Sequence, residues 1–369
     1  MKHNKLSLLT IAFQYCKASI LTHVYHIIPH PLLIPKPTYV SLFIGRNCPL
    51  HCQHCSFWKE KETHQLSFEE GKHIIDKLFS WLGPFRLNIS GGEPLLTHDM
   101  LPIITYAESK GIRCGMASNG FLINEITAKA IVASNLSNIN ISLDSLNPQK
   151  HDTIRGTKGA FKKAIHAINL LKQYRTSKRP LIYINSIISG ENIDDLIPLT
   201  TWVKENHLDG INFQPIISDK TFGNKKAKKT WYKKNPLWPD NHIITVMDTL
   251  QQMKNKGYPI NNLESEEVQI FKNYFTHPEQ TLPQSCKIAL RNFYIDLHGN
   301  VTICQNYPSI GNIFKKNPEA IWKSKEARFI RKKINTCHDD CQLLLCNRPH
   351  HIKRIIQSWF KFLDTISTD

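Results

Sequence analysis

At 369 residues, with 41% hydrophobic and 21% charged side chains, 16 Gly and 20 Pro, the chain has the composition of a folded globular protein with a full core. Extended disorder, collagen-like and low-complexity architectures are thereby excluded, and no apolar stretch approaches the ~20 uninterrupted residues that cross a bilayer. The 47 Lys plus Arg against 30 Asp plus Glu give a net charge of +17, which favours an anionic partner without choosing among nucleic acid, lipid and acidic peptide.

Residues 1–38 contain no Asp or Glu, and Leu6, Leu9, Phe13, Cys16, Ile20, Val24 and Ile27 recur at helical spacing before Pro29, Pro31, Pro35 and Pro37. This predicts one amphipathic helix followed by a stiff linker. The helix has two candidate destinations, an anionic membrane surface or the open end of the domain behind it. A secretory signal from Leu6 to Phe13 is not expected, because no clear cleavage site follows. A transit peptide would want arginines, and none precedes Arg46.

From Tyr39 onward β-rich runs alternate with helical patterns. Six strands are predicted at Tyr39–Gly45, Phe85–Ser90, Ile112–Ser118, Asn138–Asp144, Leu181–Ile188 and Gly210–Pro215. A capping box, Ser67 to Glu70, opens a helix that carries Ile74, Ile75, Leu78 and Phe79 on one face. Another helix starts near Gly159 with Phe161, Ala164, Ile165, Ile168 and Leu171. Six β/α units imply a parallel sheet with right-handed crossovers, either doubly wound or curled into part of a barrel; periodicity does not separate the two.

Residues 216–240 break that rhythm: Lys220, Lys225, Lys226, Lys228, Lys229, Lys233 and Lys234 interleave with Trp231, Tyr232 and Trp238. Such a stretch either grips phosphates and stacks bases or is a solvated bridge between domains. A helix from about Asp240 to Lys256 and a loop then precede a second group of cysteines. The chain ends in a helix with Ile352, Ile355, Ile356, Trp359 and Leu363 on one face. The expected divisions are a helix and linker at 1–38, an α/β core at 39–217, a basic linker and helix at 218–283, a cysteine-rich region at 284–349 and a terminal helix at 350–369.

Eight of the ten cysteines fall into two groups. Disulfides belong to small secreted domains, and this chain is large enough to do without them. Cys48, Cys52 and Cys55 follow directly on the first strand, so three thiols sit on a loop at a strand's C-terminal end. Three thiolates can hold three irons of a [4Fe-4S] cubane and leave the fourth open for reaction. Zinc is the competing reading, with His51 or His54 as fourth ligand.

The Cys48, Cys52 and Cys55 loop after strand one, followed by Gly91, Gly92 and Glu93 at the end of strand two, resembles the radical S-adenosylmethionine (SAM) superfamily. The resemblance covers roughly residues 39–217 and departs at His54, where an aromatic residue is usual. It implies a partial (β/α)6 barrel with SAM chelating the open iron, the glycines letting backbone approach the ligand and Glu93 accepting from its ammonium. Asn119 after strand three, Ser142 and Asp144 at the end of strand four, and Arg155 match further positions; Ser142 and Arg155 would hold the ribose or the methionyl carboxylate. Asn185 and Gln214 face the same rim only if the strand register allows it.

Cys286, Gly299 and Cys304 resemble the opening signature of the SPASM and twitch extensions of that superfamily. Residues 293–297 and 301–303 read as a hairpin whose turn needs Gly299. Cys337, Cys341 and Cys346 complete the set. Counting ligands implies one auxiliary [4Fe-4S] cluster on Cys286, Cys304 and two of the last three, with a four-cysteine zinc knuckle as the alternative. The hairpin is too short for a core of its own, so a metal is expected to fix it against the barrel. Cys16 and Cys114 read as small buried hydrophobes.

The resemblance thus implies a cytoplasmic enzyme that cleaves SAM reductively, with electrons from a donor such as flavodoxin or ferredoxin, and modifies a peptide or a small or lipid-linked metabolite. The rival reading is a zinc-stabilised nucleic-acid-binding protein without radical chemistry. It leaves the six β/α units and the Gly-Gly-Glu-Pro segment unexplained, so nucleic acid is not the expected partner; peripheral contact with an anionic membrane is carried forward.

Overall fold

The computed structural model describes residues 2–59, 62–175, 178–217, 231–278, 286–337 and Leu343. A helix, α1 (Lys2–Ile27), leads into strand β1 (Tyr39–Phe43). Five β/α repeats follow. They comprise α2 (Phe68–Leu82) and β2 (Arg86–Ser90); α3 (Met100–Ser109) and β3 (Arg113–Ser118); α4 (Glu125–Ala133) and β4 (Asn138–Ser142); α5 (Pro148–Arg155), α6 (Ala160–Tyr174) and β5 (Leu181–Ile188); and α7 (Leu196–Glu205) and β6 (Gly210–Pro215). Helices α8 (Ile243–Asn255) and α9 (Ser265–Thr276) come next. Strands β7 (Asn292–Asp296), β8 (Asn300–Thr302) and β9 (Gly311–Asn312) then precede α10 (Pro318–Trp322) and α11 (Lys325–Ile334).

Strand order settles the alternative that periodicity left open. The nine strands form one sheet in the order β6-β5-β4-β3-β2-β1-β7-β8-β9, and β1 to β6 are parallel. A doubly wound sheet reverses its strand order part-way. This order runs one way, so the crossover helices lie on one face and the other face curls into a partial barrel lumen. Burial follows: in β4, Ile139 and Ile141 are fully buried under helices while Asn138, Asn140 and Ser142 alternate with them on the lumen side.

Local chemistry sets the helices. Glu70 Oε2 accepts from the Ser67 backbone N–H at 2.9 Å, Ser67 Oγ accepts from the Glu70 N–H, and Ile74, Ile75, Leu78 and Leu82 enter the core. Helix α9 occupies what the sequence suggested was loop. Its N-cap position is Glu264, outside the Ser/Thr/Asp/Asn set that signals a helix start, and Glu267 accepts from the Leu263 and Glu264 N–H groups.

Helix α1 packs across the N-terminal ends of the strands. Ser7, Ile11 and Ala18 are buried; Gln14 Nε2 donates to Leu82 O at 2.6 Å, and the Tyr15 hydroxyl donates to Thr38 O at 2.6 Å. Among the described residues no helix is long and apolar enough to cross a membrane. Trp238 is half-buried and packs on the core cluster against Tyr274 and Phe275, with the half-buried Tyr232 beside it, so Trp238 is engaged in packing within the protein. Lys220 to Lys229, Cys341, Cys346 and the terminal helix expected at 350–369 lie outside the described residues.

The β7–β8 hairpin is not held by metal alone. β7 pairs in parallel with β1, from Tyr39↔Asn292 to Phe43↔Asp296, and so extends the barrel sheet. Further ties are Trp322 Nε1 to Pro35 O at 2.9 Å and Lys77 Nζ to Ile313 O at 2.6 Å. The expectation named metal as what fixes the hairpin; sheet hydrogen bonding across distant sequence, which the sequence did not disclose, also does so.

Candidate active site

The C-terminal ends of β1 to β4 bring the predicted site residues to one mouth. Cys48, Cys52 and Cys55 pack into a small cluster with Leu50, Ala160 and Phe121. Two neighbouring elements press on this loop. From α5, Arg155 O accepts from the His51 N–H and Ile154 O from the Gln53 N–H, at 3.2 and 3.0 Å. Gly156, at φ +62, closes α5 where a Cβ would lie 2.1 Å from His51 O.

From β2, Gly92 N–H donates to Gly45 O at 2.9 Å and Glu93 N–H to Asn47 O at 2.8 Å. A Cβ on Gly92 would sit 2.0 Å from Asn47 O, and one on Gly91 2.6 Å from Gly45 O. The space that these glycines leave is therefore taken by the backbone leading into the thiol loop. Sequence reasoning credited it to an approaching ligand.

Glu93 has a different position from the open acceptor that its motif suggested. Its carboxylate is fully buried and accepts from Ser118 Oγ at 2.9 Å, Asn119 N–H at 2.8 Å and Leu95 N–H at 3.3 Å. It braces the end of β2 against the end of β3, and burial pushes its pKa up to about 7 against those hydrogen bonds. Asn119, so held, directs its side-chain amide at Cys48 Sγ, 3.5 Å away.

Arg155 is likewise engaged within the protein. Its Nε lies 2.6 Å from Asp144 Oδ2 and its Nη1 4.0 Å from Cys52 Sγ. Burial opposes the charge of Arg155, but Asp144 and Cys52 outweigh it and raise the guanidinium's pKa further. Burial would also raise Asp144; Arg155, His151 and His54 hold it below its usual value instead. Asp144 Oδ1 accepts from Ile187 N–H at 3.0 Å, which ties β4 to β5. Burial, then the Arg155 charge, lowers the His54 imidazole to about 4, so His54 adds no positive charge at neutral pH.

Below the mouth the lumen is lined by carboxamides. Asn212 Nδ2 lies 3.0 Å from Asn185 Oδ1 and 3.5 Å from Asn140 Oδ1, and Asn88 donates to Val40 O at 3.2 Å. Asn185 stands opposite Asn212, and Gln214 is opposite Ile187, one lumen step nearer the mouth. Tyr183, its phenol pushed up to about 12 by burial, is the one ionisable group on the inward positions between the strand starts and the mouth in β1 to β6. Sequence reasoning missed Asn88, Asn140 and Asn212. Their alternation with buried aliphatics was visible, but not which face the sheet curls around.

In the second group, Cys286 and Cys304 are buried at the open end of the β7–β8 hairpin, and Cys337 is half-buried three residues beyond α11. Arg331 of α11 donates to Ala289 O at 3.0 Å, which brings α11 against the segment after Cys286.

A family model described as the radical SAM superfamily matches residues 42–203, and one described as an iron-sulfur cluster-binding domain, SPASM, matches residues 286–347. The chain belongs to the radical SAM superfamily. This radical SAM protein is 31% identical over 227 residues to the Fe-coproporphyrin III synthase of Methanosarcina barkeri, covering 61% of this chain and 54% of that one. It spans about half the length of the first curated relatives it matches. Its fold is that of native anSMEcpe with bound AdoMet and Cp18Cys peptide, at TM-score 0.60 and 16% identity over 89% of this chain and 96% of that one. The fold also matches Streptococcus suis SuiB bound to precursor peptide SuiA, at TM-score 0.61 and 16% identity, covering 80% and 66%.

Membership brings a SAM-binding [4Fe-4S] cluster, and the SPASM region an auxiliary iron–sulfur cluster. The radical SAM core fits the first of these by its donor set. Burial pushes the Cys48 thiol up to about 11 and raises that of Cys52, so thiolate there needs a compensating positive charge of the kind bound iron supplies.

Proposed function

We propose that this chain is a radical SAM/SPASM enzyme acting on a neutral, amide-bearing substrate, a peptide segment, admitted to the lumen through the thiol-loop mouth. In this reading Cys48, Cys52 and Cys55 hold three irons, and Cys286, Cys304 and two of Cys337, Cys341 and Cys346 hold the auxiliary cluster. Reduced by a one-electron donor such as flavodoxin or ferredoxin, the SAM-loaded cluster supplies a 5′-deoxyadenosyl radical that removes a substrate hydrogen. The chain's own residues do the rest. Gly91 and Gly92 let the two loops meet, Glu93 fixes Asn119 against Cys48, and Asp144 orients Arg155 beside Cys52. Ser142, at the lip of β4, faces the remaining space. Thiolate ligands of this kind call for a reducing compartment, the cytoplasm.

The observation that carries the substrate class is the uncharged carboxamide lining of the lumen. Asn88, Asn140, Asn185 and Asn212 give it an uncharged amide surface; part of their hydrogen-bonding capacity is used among themselves and on the Val40 and Met116 carbonyls, and what they present is the neutral donor and acceptor chemistry of peptide groups. A carboxylated tetrapyrrole of the sort named for the Methanosarcina relative would need cations, and between the strand starts and the mouth the inward positions offer none. The anSMEcpe and SuiB structures hold peptides, in line with this reading.

The test is an anaerobic assay with dithionite, SAM and a low-molecular-weight lysate fraction. Lysate should stimulate 5′-deoxyadenosine formation, and treating it with protease beforehand should abolish the stimulation. Stimulation that survives protease would overturn the peptide reading. Asn185→Leu with Asn212→Leu should retain SAM cleavage while losing the product mass.

A further inference from the structure

Nine large hydrophobic side chains are exposed among the described residues, and six of them, Leu9, Phe13, Ile20, Ile27, Ile28 and Leu32, lie in or just after α1. At 3.6 residues per turn, Leu9, Phe13, Ile20 and Ile27 fall within an arc of about 40°. Ser7, Ile11 and Ala18, which face the barrel, lie roughly opposite. The helix therefore has two apolar faces, of which the described residues cover one. Phe13 is 69% exposed, Ile20 63% and Ile27 80%, values that leave most of each side chain in water.

Charge selects the occupant of the second face. Residues 1–38 contain four lysines and no Asp or Glu. Lys17, His23 and His26 are exposed on the same helix. A second copy of the chain would set one acid-free helix against another, each on a body of net charge +17, and would add repulsion. An anionic lipid surface supplies both an apolar layer and the missing negative charge.

We propose that the outward face of α1 docks on an anionic bilayer surface, lying in the interface without crossing it. The geometry fixes the orientation. Because α1 covers the strand N-termini, the thiol-loop mouth points away from the lipid. Docking therefore localises the enzyme while leaving its mouth open to the aqueous phase, and a lipid-linked substrate would have to reach around the barrel. This does not depend on the substrate reading above.

The experiment is flotation of the full-length, anaerobically purified protein with phosphatidylcholine vesicles prepared with and without phosphatidylglycerol. Protein should float with the anionic vesicles only, and added salt should reduce the bound fraction. Phe13→Ser combined with Ile20→Ser should lower partitioning at least about tenfold while leaving the melting temperature unchanged, since both positions face water. Ile126→Ser, an exposed change on α4, should float as wild type. Flotation indifferent to anionic lipid, or unchanged in the double variant, would overturn the proposal. So would a dimer in solution that the double variant dissociates, which would give the face to a second copy.

Discussion

Gly92→Ala discriminates between two reasons for the glycine. If the glycine serves ligand approach, alanine should weaken SAM binding and spare iron. The structure directs the damage elsewhere. The new Cβ would lie 2.0 Å from Asn47 O, 2.6 Å from Asn47 C and 2.8 Å from Arg46 C, all backbone atoms that no rotamer change can move aside. Relief requires the loop to retreat by roughly 1 Å or more, with overpacking strain of about 1–3 kcal/mol. That retreat breaks the hydrogen bonds from Gly92 N–H to Gly45 O and from Glu93 N–H to Asn47 O, at about 1 kcal/mol each. A total of about 3–5 kcal/mol falls on the loop that carries Cys48, Cys52 and Cys55, enough to lower the population of its ligating geometry by a factor on the order of a hundred or more. The assay is iron per chain after anaerobic reconstitution, with SAM affinity measured on the same sample. Iron should fall toward the roughly four atoms of one auxiliary cubane. Gly257→Ala is the control: it has positive φ, but its Cβ would meet nothing within 4 Å, so iron should be unaffected. Full iron with lost SAM affinity in Gly92→Ala would refute the reasoning and return the glycine to the ligand.

Replacing Cys48, Cys52 and Cys55 together by Ala should remove about half the iron and all SAM cleavage, and adding Cys286→Ala and Cys304→Ala should remove the rest; metal analysis and 5′-deoxyadenosine chromatography check both. Because burial raises the pKa of Glu93 from 4.5 to about 7, the folded state binds the extra proton between those values. Its contribution to stability is therefore full below about pH 4.5 and is lost as pH rises toward 7. Urea melts between about pH 5 and pH 8 should show a decline on the order of 3 kcal/mol or less from this group, and Glu93→Gln should flatten it. Removing iron by chelation should leave the β7 amides protected in hydrogen exchange, since pairing with β1 holds the strand without metal.

Short-range signals made most of the element order legible. The Ser67 capping box, the period-two strands and the Gly299 turn each act within a few residues. What the sequence hid was non-local or depended on curvature. Parallel pairing of β7 with β1 joins residues some 250 apart, and neither segment encodes the other. The choice between barrel and doubly wound sheet rested on strand order, and the asparagine lining could not be assigned to a lumen until that was known. At the site, motif spacing located Gly92, Glu93, Asp144 and Arg155. It could not say that Glu93 turns inward to Ser118 and Asn119, or that Arg155 is committed to Asp144 and Cys52.

The two cysteine groups share more than an enzyme. Phe43 of β1 stands beside Asp296 of β7, so the turn after β7 emerges at the same level as the thiol loop after β1. Asp296 Oδ1 accepts from the His298 and Asn300 N–H groups at 2.9 and 2.8 Å and sets that turn. His298 then reaches Glu62 at 3.5 Å and stacks on His64, ring centroids 5.1 Å apart. The Glu62 peptide is gripped at both ends by the Asn47 carboxamide, and Asn47 O accepts from Glu93 N–H. A chain of direct contacts thus runs from the SPASM hairpin through Asn47 to the Gly-Gly-Glu turn. A flexible tether would let the hairpin drift relative to the barrel. Here a continuous sheet and this bracing hold the β7–β8 turn against the segment that leads into the thiol loop, through backbone and short polar side chains.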